Sequence, residues 1–163
     1  MHNRPGHLIR RAQQVHAALW LNMVSRDVTP TQFSALSVIA AHSRVDQVTV
    51  SREASLDTST TGAVIERLIQ RGWVLARNDP ADRRRRLLSL TSTGVDVHRA
   101  VWSTAEEMTR RLTGCFEPAE QEQFVELLSR FVEHGEHLST SGAGRTPPAG
   151  FAAGAVLVEG DPI

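Results

Sequence analysis

What this 163-residue chain lacks already limits what it can be, since it has one cysteine and no lysine. Because Cys115 is alone, the chain can form neither an intrachain disulfide nor a zinc site built from several cysteines. No stretch approaches the roughly 20 apolar residues of a transmembrane helix, and the first residues lack the apolar core of a signal peptide. These absences predict a soluble, cytoplasmic protein that does not associate with membranes.

Net charge is absent as well, because 18 basic residues balance 18 acidic ones. A neutral protein has no overall field that attracts nucleic acid. The charges are nevertheless uneven: seven arginines lie between Arg67 and Arg86, whereas acidic residues predominate between Glu106 and Glu136. Arginine stands wherever lysine would be expected, which we attribute to a GC-rich genome. The asymmetry indicates a basic working surface in the middle of the chain.

The hydrophobic pattern predicts a mainly helical chain with one β-hairpin. Thr29 is a predicted N-cap with Pro30 at the first helical position, and Asp57 is the predicted cap of a later helix. The predicted helices cover residues 5–24, a segment from 30 onward, 49–55, 57–71, 93–113 and 117–138. The predicted strands cover residues 73–77 and 87–90. From Ser139 onward small residues and proline dominate, which predicts a disordered tail.

The two short helices before the hairpin, joined by a tight turn, predict a helix-turn-helix. The second helix begins with small hydroxylated residues, which let the backbone approach a groove, donate to phosphates or base edges, and offer methyl groups to thymine. Arg67 and Arg71, further along, are placed to reach phosphates. The remaining candidate DNA contacts are Ser59, Thr60, Thr61 and Ala63. The alternative is a capped helix that merely packs.

Four consecutive arginines, Arg83 to Arg86, lie between the turn-forming 79–82 segment and the second strand. Guanidinium groups at a hairpin tip suit the negative potential of a narrow groove. Together with a helix-turn-helix they predict a winged helix, in which the helix enters the major groove and the wing reaches the flanking minor groove. The alternative is a solvated charge run. The wing's candidate DNA contacts are Asp82, Arg83, Arg84, Arg85 and Arg86.

From about residue 6 to residue 138 the chain resembles the MarR (multiple antibiotic resistance regulator) family of bacterial transcription regulators. The signatures are Leu56-Asp57-x-Ser59-Thr60, Arg67-Leu68-x-x-Arg71-Gly72-Trp73-Val74, and Asp79-Pro80-x-Asp82-x-Arg84 leading to Leu90-Thr91-x-x-Gly94. The resemblance implies a homodimer with intertwined first and last helices that binds a pseudo-palindromic operator in double-stranded DNA. The expected fold class is mainly α with a small β-hairpin wing, a winged helix-turn-helix plus dimerisation helices.

The resemblance also assigns roles to segments. It implies an N-terminal dimerisation helix over 6–28, the DNA-binding domain over 29–92, C-terminal dimerisation helices over 93–138 and the tail over 139–163. It makes the helix from Asp57 the recognition helix and pairs Asp82 with Arg84, so that the carboxylate orients a guanidinium toward DNA. Many members carry basic residues where this chain has Thr58 and Ala63. We therefore expect more affinity to come from the wing here, with Arg84 the most important arginine.

The N-terminal residues 5–20, together with Val45-Asp46-Gln47, resemble the subgroup that responds to aromatic carboxylates such as protocatechuate or hydroxycinnamates. A pocket for such an effector needs an arginine for bidentate pairing, an aromatic wall and a polar group. Arg10, His16 and Trp20 are the candidates, since His16 and Trp20 lie one helical turn apart. Arg11 is the alternative anchor, while Trp20 in the core and His16 at an interface are the structural alternatives. The implied function is a repressor released by its effector.

Other functions have weaker support in the residues. A redox sensor would need a thiolate-prone cysteine, but Cys115 lies beside Glu117, which opposes thiolate formation. A metal sensor would need clustered ligands, and His134 and His137 lie beside two glutamates typical of a solvated helix end. No catalytic motif is present, so we expect no enzyme and no cofactor. A winged-helix adaptor that binds protein stays open as an alternative.

Overall fold

The computed structural model describes residues 4–82 and 85–141, without the side chains of 139–141. The elements in chain order are α1 (Pro5–Leu19), a π-helical turn (Trp20–Val24), α2 (Pro30–Ala41), β1 (Val45–Asp46), α3 (Gln47–Glu53), α4 (Thr58–Gln70), β2 (Val74–Asn78), β3 (Arg86–Leu90), α5 (Ser92–Thr113) and α6 (Pro118–Ser141). This architecture confirms the fold class, mainly helical with a small sheet. The rest of the predicted tail lies outside the described residues, and α6 extends three residues into the predicted tail.

Local capping explains where the central helices begin. Gln32 N–H donates to the Thr29 hydroxyl at 3.2 Å, and the Gln32 side chain accepts from Thr29 N–H at 3.0 Å, a reciprocal cap before Pro30. Asp57 caps α4 as predicted, accepting from Thr60 N–H at 2.9 Å. The third helix begins two residues before its predicted start, because Asp46 caps it and accepts from a backbone N–H inside it.

The sheet contains one more strand than the sequence predicts. The strands are antiparallel in the order β1-β3-β2, with Val74 opposite Leu90 and Val45 opposite Leu88. The two-residue β1 is too short to leave a periodic pattern, so only its long-range pairing reveals it. The loop between β2 and β3 is closed by Asp79 N–H, which donates to the Arg85 carbonyl at 2.9 Å.

One hydrophobic core lies where α2, α4, β3 and α5 meet. The largest of its fully buried side chains are Leu36, Ile39, Leu68, Leu88 and Met108. The inward residues of α4 are Thr61, Val64, Ile65 and Leu68, which recur at three- and four-residue intervals. Because this stripe is committed to the core, packing alone determines which face of α4 remains exposed.

The chain divides into two compact units after Cys115, with α5 in the first and α6 in the second. The predicted boundary between the DNA-binding domain and the C-terminal dimerisation helices, after residue 92, stays a prediction. By its contacts, α5 belongs to the first compact unit. The first helix, α1, has no buried residue. Considered by itself, α6 exposes seven large apolar side chains: Phe124, Val125, Leu127, Leu128, Phe131, Val132 and Leu138. Among the described residues, no helix combines the length and apolarity needed to cross a membrane.

Gly94 provides a direct stability test of the junction between the sheet and α5. A Cβ at this position would lie 2.0 Å from the carbonyl oxygen of Trp73, which already accepts from Thr91 N–H at 3.0 Å. Since backbone must move to relieve this overlap, we expect Gly94→Ala to lower the free energy of unfolding by about 1–3 kcal/mol or more. Urea denaturation measures the loss.

Gly135→Ala in α6 is the matched control, because a Cβ there meets nothing within 4 Å. Alanine is the better helix former, so this variant should keep or raise the midpoint of unfolding. Equal stability of the two variants would contradict the described junction.

Candidate nucleic-acid interface and effector site

The exposed face of α4 carries most of the residues predicted to contact DNA. Ser59, Ala63 and Arg67 are exposed and lie one turn apart, so they form a single stripe opposite the core. Glu66 is exposed beside this stripe. Arg67 has no hydrogen-bond or ion-pair partner among the described residues, which leaves its guanidinium available to an anion.

The hydroxyl groups at the start of α4 are held by the capping residue. The Ser59 hydroxyl donates to the Asp57 carboxylate at 2.6 Å, and the Thr60 hydroxyl donates to its other oxygen. These bonds, that of Ser59 above all, hold the pKa of Asp57 well below its usual range. Since both hydroxyl protons are engaged, Ser59 and Thr60 present oxygen lone pairs outward. In this state they can accept a hydrogen bond from a base amino group but cannot donate to a phosphate.

Thr61 corrects the predicted set of DNA contacts. Its side chain is 0% exposed, and its hydroxyl donates to the Asp57 carbonyl at 2.8 Å. A fully buried hydroxyl that satisfies its own helix cannot contact a base. The run of hydroxylated residues in the sequence did not reveal this, because only the packing of α4 separates the inward Thr61 from the outward Ser59.

The wing arginines that the structure describes are paired with carboxylates. Arg85 forms an ion pair with Asp46, and its guanidinium lies 3.9 Å from the Asp79 carboxylate. Arg86 Nη1 lies 3.0 Å from Glu66 Oε1, which joins β3 to the exposed face of α4. Both arginines were predicted to contact DNA, and a phosphate would have to compete with these carboxylates for them.

The remaining wing predictions are only partly described. Asp82 is exposed, and its carbonyl accepts from Arg85 N–H at 2.9 Å. Arg83 and Arg84 lie outside the described residues, so the pair of Asp82 with Arg84 and the ranking of Arg84 stay predictions.

Arg71, at the end of α4, is engaged on the protein itself. Its Nη1 donates to the Asp27 carbonyl at 2.8 Å, and its guanidinium lies 4.8 Å from the centre of the Trp73 ring. Two arginines were predicted to reach phosphates. Arg71 is bonded to a carbonyl of the protein and stacked on Trp73, whereas the Arg67 guanidinium has no partner among the described residues.

A cluster of aromatic rings connects α1, the π-helical turn, α2 and α5. Trp20 lies 6.0 Å from His16 and 5.4 Å from Phe33, measured between ring centroids. Phe33 in turn stacks on His98 at 5.6 Å, and His98 lies 5.7 Å from Trp102. We call these five residues the aromatic cluster. Packed rings of this kind can form one wall of a site for an aromatic ligand.

Two members of the aromatic cluster have hydrogen-bond partners outside it. Trp20 is only 3% exposed, and its Nε1–H donates to the Val28 carbonyl at 2.7 Å. His98 Nε2 lies 3.1 Å from Ser37 Oγ, and burial lowers the pKa of His98. A neutral imidazole at this position can donate or accept. Trp102 is 45% exposed, so the accessible surface of the cluster lies at α5 rather than at Trp20.

The structure brings together two of the three predicted effector residues. His16 and Trp20 share the aromatic cluster, but Arg10 is exposed on α1 and has no ion-pair partner among the described residues. The sequence reasoning missed His98 and Trp102. Their four-residue spacing on α5 repeats the spacing of His16 and Trp20 and was the signal that could have found them.

The alternative sites gain no support within residues 4–82 and 85–141. No group of three or more histidine, cysteine, aspartate or glutamate side chains there could hold a metal ion. Cys115 is exposed, and its thiol donates to the Leu112 carbonyl at 3.8 Å.

Comparison with known proteins gives a consistent set of similarities. Residues 26–85 match a sequence model of the MarR family. HosA, a transcriptional regulator of Escherichia coli, is 28% identical over 132 residues, which cover 81% of this chain and 97% of HosA.

Two solved structures are similar at higher identity. The transcriptional regulator PcaV from Streptomyces coelicolor, in complex with its natural ligand, is 38% identical, with a TM-score of 0.78 over 80% of this chain and 93% of PcaV. BpsR from Bordetella bronchiseptica, whose DNA binding is regulated by 6-hydroxynicotinic acid, is 34% identical, with a TM-score of 0.72 over 78% of this chain and 97% of BpsR.

The ion pair at the base of the wing predicts a measurable titration. The N–H of Thr49, and then Arg85, hold the pKa of Asp46 below its usual value. A carboxyl with a lowered pKa stabilises the fold above its ordinary pKa, and this contribution is lost as the pH falls. We expect Arg85→Gln to raise the pKa of Asp46 only partly, since the Thr49 bond remains. Carboxyl NMR titration measures this.

Arg77→Gln is the control, because the side chain of Arg77 has no hydrogen-bond or ion-pair partner among the described residues. This variant should leave the pKa of Asp46 unchanged. An unchanged Asp46 titration in Arg85→Gln would show that the ion pair does not persist in solution.

Proposed function

The chain belongs to the MarR family of transcriptional regulators, and we propose that it acts as a homodimeric repressor on a pseudo-palindromic DNA operator. Family membership confirms that the chain is a transcription regulator and not an enzyme. We place its action in the cytoplasm, where bacterial DNA is accessible. The observation that carries the proposal is the exposed stripe of α4, since packing commits the opposite side of that helix to the core.

The proposed DNA contacts come from α4 and the wing. Ser59 and Ala63 are exposed at the N-terminal half of α4, where a recognition helix meets base edges. The side chain of Arg67 has no partner among the described residues, so its guanidinium can bind a phosphate. The ion pair of Arg86 with Glu66 connects the wing to the same face. That link supports a single surface that presents helix and hairpin to one duplex.

The apolar faces of α1 and α6 support a homodimer. The seven exposed apolar side chains of α6 form a face unusual for a monomer, α1 adds Leu8 and Val15, and a second copy would cover both helices. A two-fold dimer places its recognition helices about one helical turn of DNA apart, roughly 34 Å, which requires two inverted half-sites.

We propose that the effector is a small aromatic carboxylate bound at the aromatic cluster. His16, His98 and Trp102 would contact the ring and its polar substituents, while Arg10 of either protomer would pair with the carboxylate. The regulation of BpsR by 6-hydroxynicotinic acid supports this class of effector, and the complex of PcaV with its natural ligand supports a regulator that responds to a ligand. An effector that binds better to one spacing of the two recognition helices shifts the dimer toward that spacing and lowers operator affinity.

Arg67 tests the proposed DNA surface. We expect Arg67→Ala to weaken binding to a duplex selected by the protein from random DNA by about tenfold. The slope of log affinity against log salt should fall by about one, because one phosphate contact is lost. Fluorescence anisotropy at several salt concentrations measures both.

Arg99→Ala is the control, since Arg99 is exposed on α5 and pairs with Asp96 of the same helix. It should bind as the unaltered protein does. Equal affinity and slope in the two variants would contradict the assignment of α4, and failure to select any duplex would favour a protein-binding adaptor.

Arg10 tests the proposed effector site. We expect Arg10→Ala to bind operator normally but to resist release by protocatechuate and by 6-hydroxynicotinic acid, because the carboxylate loses its partner. Anisotropy with increasing effector measures release, and Arg11→Ala is the neighbouring control that should respond normally. Unchanged effector sensitivity in Arg10→Ala would rule out this anchor.

A further inference from the structure

We propose that Arg71 is a positioning residue that couples the aromatic cluster to α4 through residues 25–28, which we call the 25–28 loop. The inference rests on the proposed effector site, and it assigns to Arg71 a role in effector response instead of DNA contact. Its basis is a continuous series of hydrogen bonds that begins at Trp20 and ends on the last turn of α4.

Trp20 holds the 25–28 loop from both ends. The Trp20 carbonyl accepts from Ser25 N–H at 3.1 Å, and the indole Nε1–H donates to the Val28 carbonyl at 2.7 Å. Inside the loop, the Ser25 hydroxyl oxygen accepts from Asp27 N–H at 3.1 Å and from Val28 N–H at 3.0 Å. Because backbone donors and acceptors within the loop are bonded to Trp20 or Ser25, a displacement of Trp20 must move the loop with it.

Arg71 bonds to the same loop from α4. Its Nη1 donates to the Asp27 carbonyl, the neighbour of the carbonyl that Trp20 holds. Arg71 is the C-cap residue of α4, and its guanidinium also lies on the Trp73 ring. The two adjacent carbonyls of Asp27 and Val28 are therefore bonded to the aromatic cluster on one side and to the recognition helix on the other.

The π-helical turn gives this connection a means to move. Trp20 begins the turn, which ends at Val24 and contacts α5. A π-helical turn holds one residue more than an α-helical turn, and such turns are rare and frequent at functional sites. Conversion to α-helix would shift the register after Trp20 by one residue and pull on the 25–28 loop. A π-helical and an α-helical arrangement of this turn would give an effector two states between which to shift the equilibrium.

The contrast with Arg67 separates coupling from DNA contact. Arg67 lies in the last turn of α4 and Arg71 caps its C-terminus. Among the described residues the Arg67 guanidinium has no partner, whereas that of Arg71 contacts a carbonyl and an aromatic ring. Withdrawing Arg71 to reach a phosphate would break both contacts. The geometry favours a guanidinium that stays on the protein when DNA binds.

A double-mutant cycle tests the connection without DNA or effector. Trp20→Phe keeps an aromatic ring but removes the Nε1 donor, and Arg71→Gln removes the guanidinium. Because both bonds act on adjacent carbonyls, we expect the shift of the urea midpoint in the double variant to be smaller than the sum of the single shifts. The pair Trp20→Phe and Arg67→Gln is the control and should be additive. Additivity in the test pair would overturn the proposal.

Operator release tests the role in regulation. We expect Arg71→Gln to keep operator affinity within about twofold and to keep the salt slope. Calorimetry should show the same affinity for protocatechuate and 6-hydroxynicotinic acid as in the unaltered protein. Release of the operator should nevertheless need at least about tenfold more of either compound. Arg71→Lys, which keeps a donor for the Asp27 carbonyl, should restore part of the response.

The contrary outcomes are distinct. A weaker operator complex with a salt slope lower by about one would make Arg71 a phosphate contact, and unchanged release would place the coupling elsewhere. If neither compound releases the unaltered protein, the proposed effector class is wrong, while the double-mutant cycle still decides whether Trp20 and Arg71 act on one loop.

Discussion

The burial of one side of α4 is the constraint on which the rest of the molecule depends. Val64, Ile65 and Leu68 pack into the core with Leu36 of α2 and Leu88 of β3. This packing orients the helix, leaves its polar side in solvent and places β3 beside it. The exposed stripe, the connection to the wing and the position of the last turn near the 25–28 loop all follow from that orientation.

Electrostatics at this surface is local, as expected for a chain with zero net charge. Asp46 and Glu66 neutralise Arg85 and Arg86 at the base of the wing, so these arginines brace the hairpin in the absence of DNA. Such exposed ion pairs are individually weak and can exchange for phosphates. Affinity for DNA therefore depends on the competition between these carboxylates and the DNA phosphates for Arg85 and Arg86. The number of arginines alone overstates the positive charge that DNA can meet.

Short-range chemistry made much of the fold predictable from the sequence. Thr29 and Asp57 cap helices through bonds that span three residues, and both were evident from residue type and spacing. Features set by distant partners were not predictable. The two-residue β1 exists only by pairing with Leu88, and Arg71 meets a carbonyl 44 residues away. The inward orientation of Thr61 likewise depends on tertiary packing, which the hydroxylated run conceals.

The central claim is that the exposed stripe of α4 lies against operator DNA, and the single cysteine makes this directly measurable. In a Cys115→Ser background, Ala63→Cys can carry an iron chelate that cleaves nearby DNA, and Ser103→Cys on α5 can carry the same group as a control. The account predicts cleavage within both half-sites from position 63 and little from position 103. A stable complex with no cleavage from position 63, or with stronger cleavage from position 103, would contradict it.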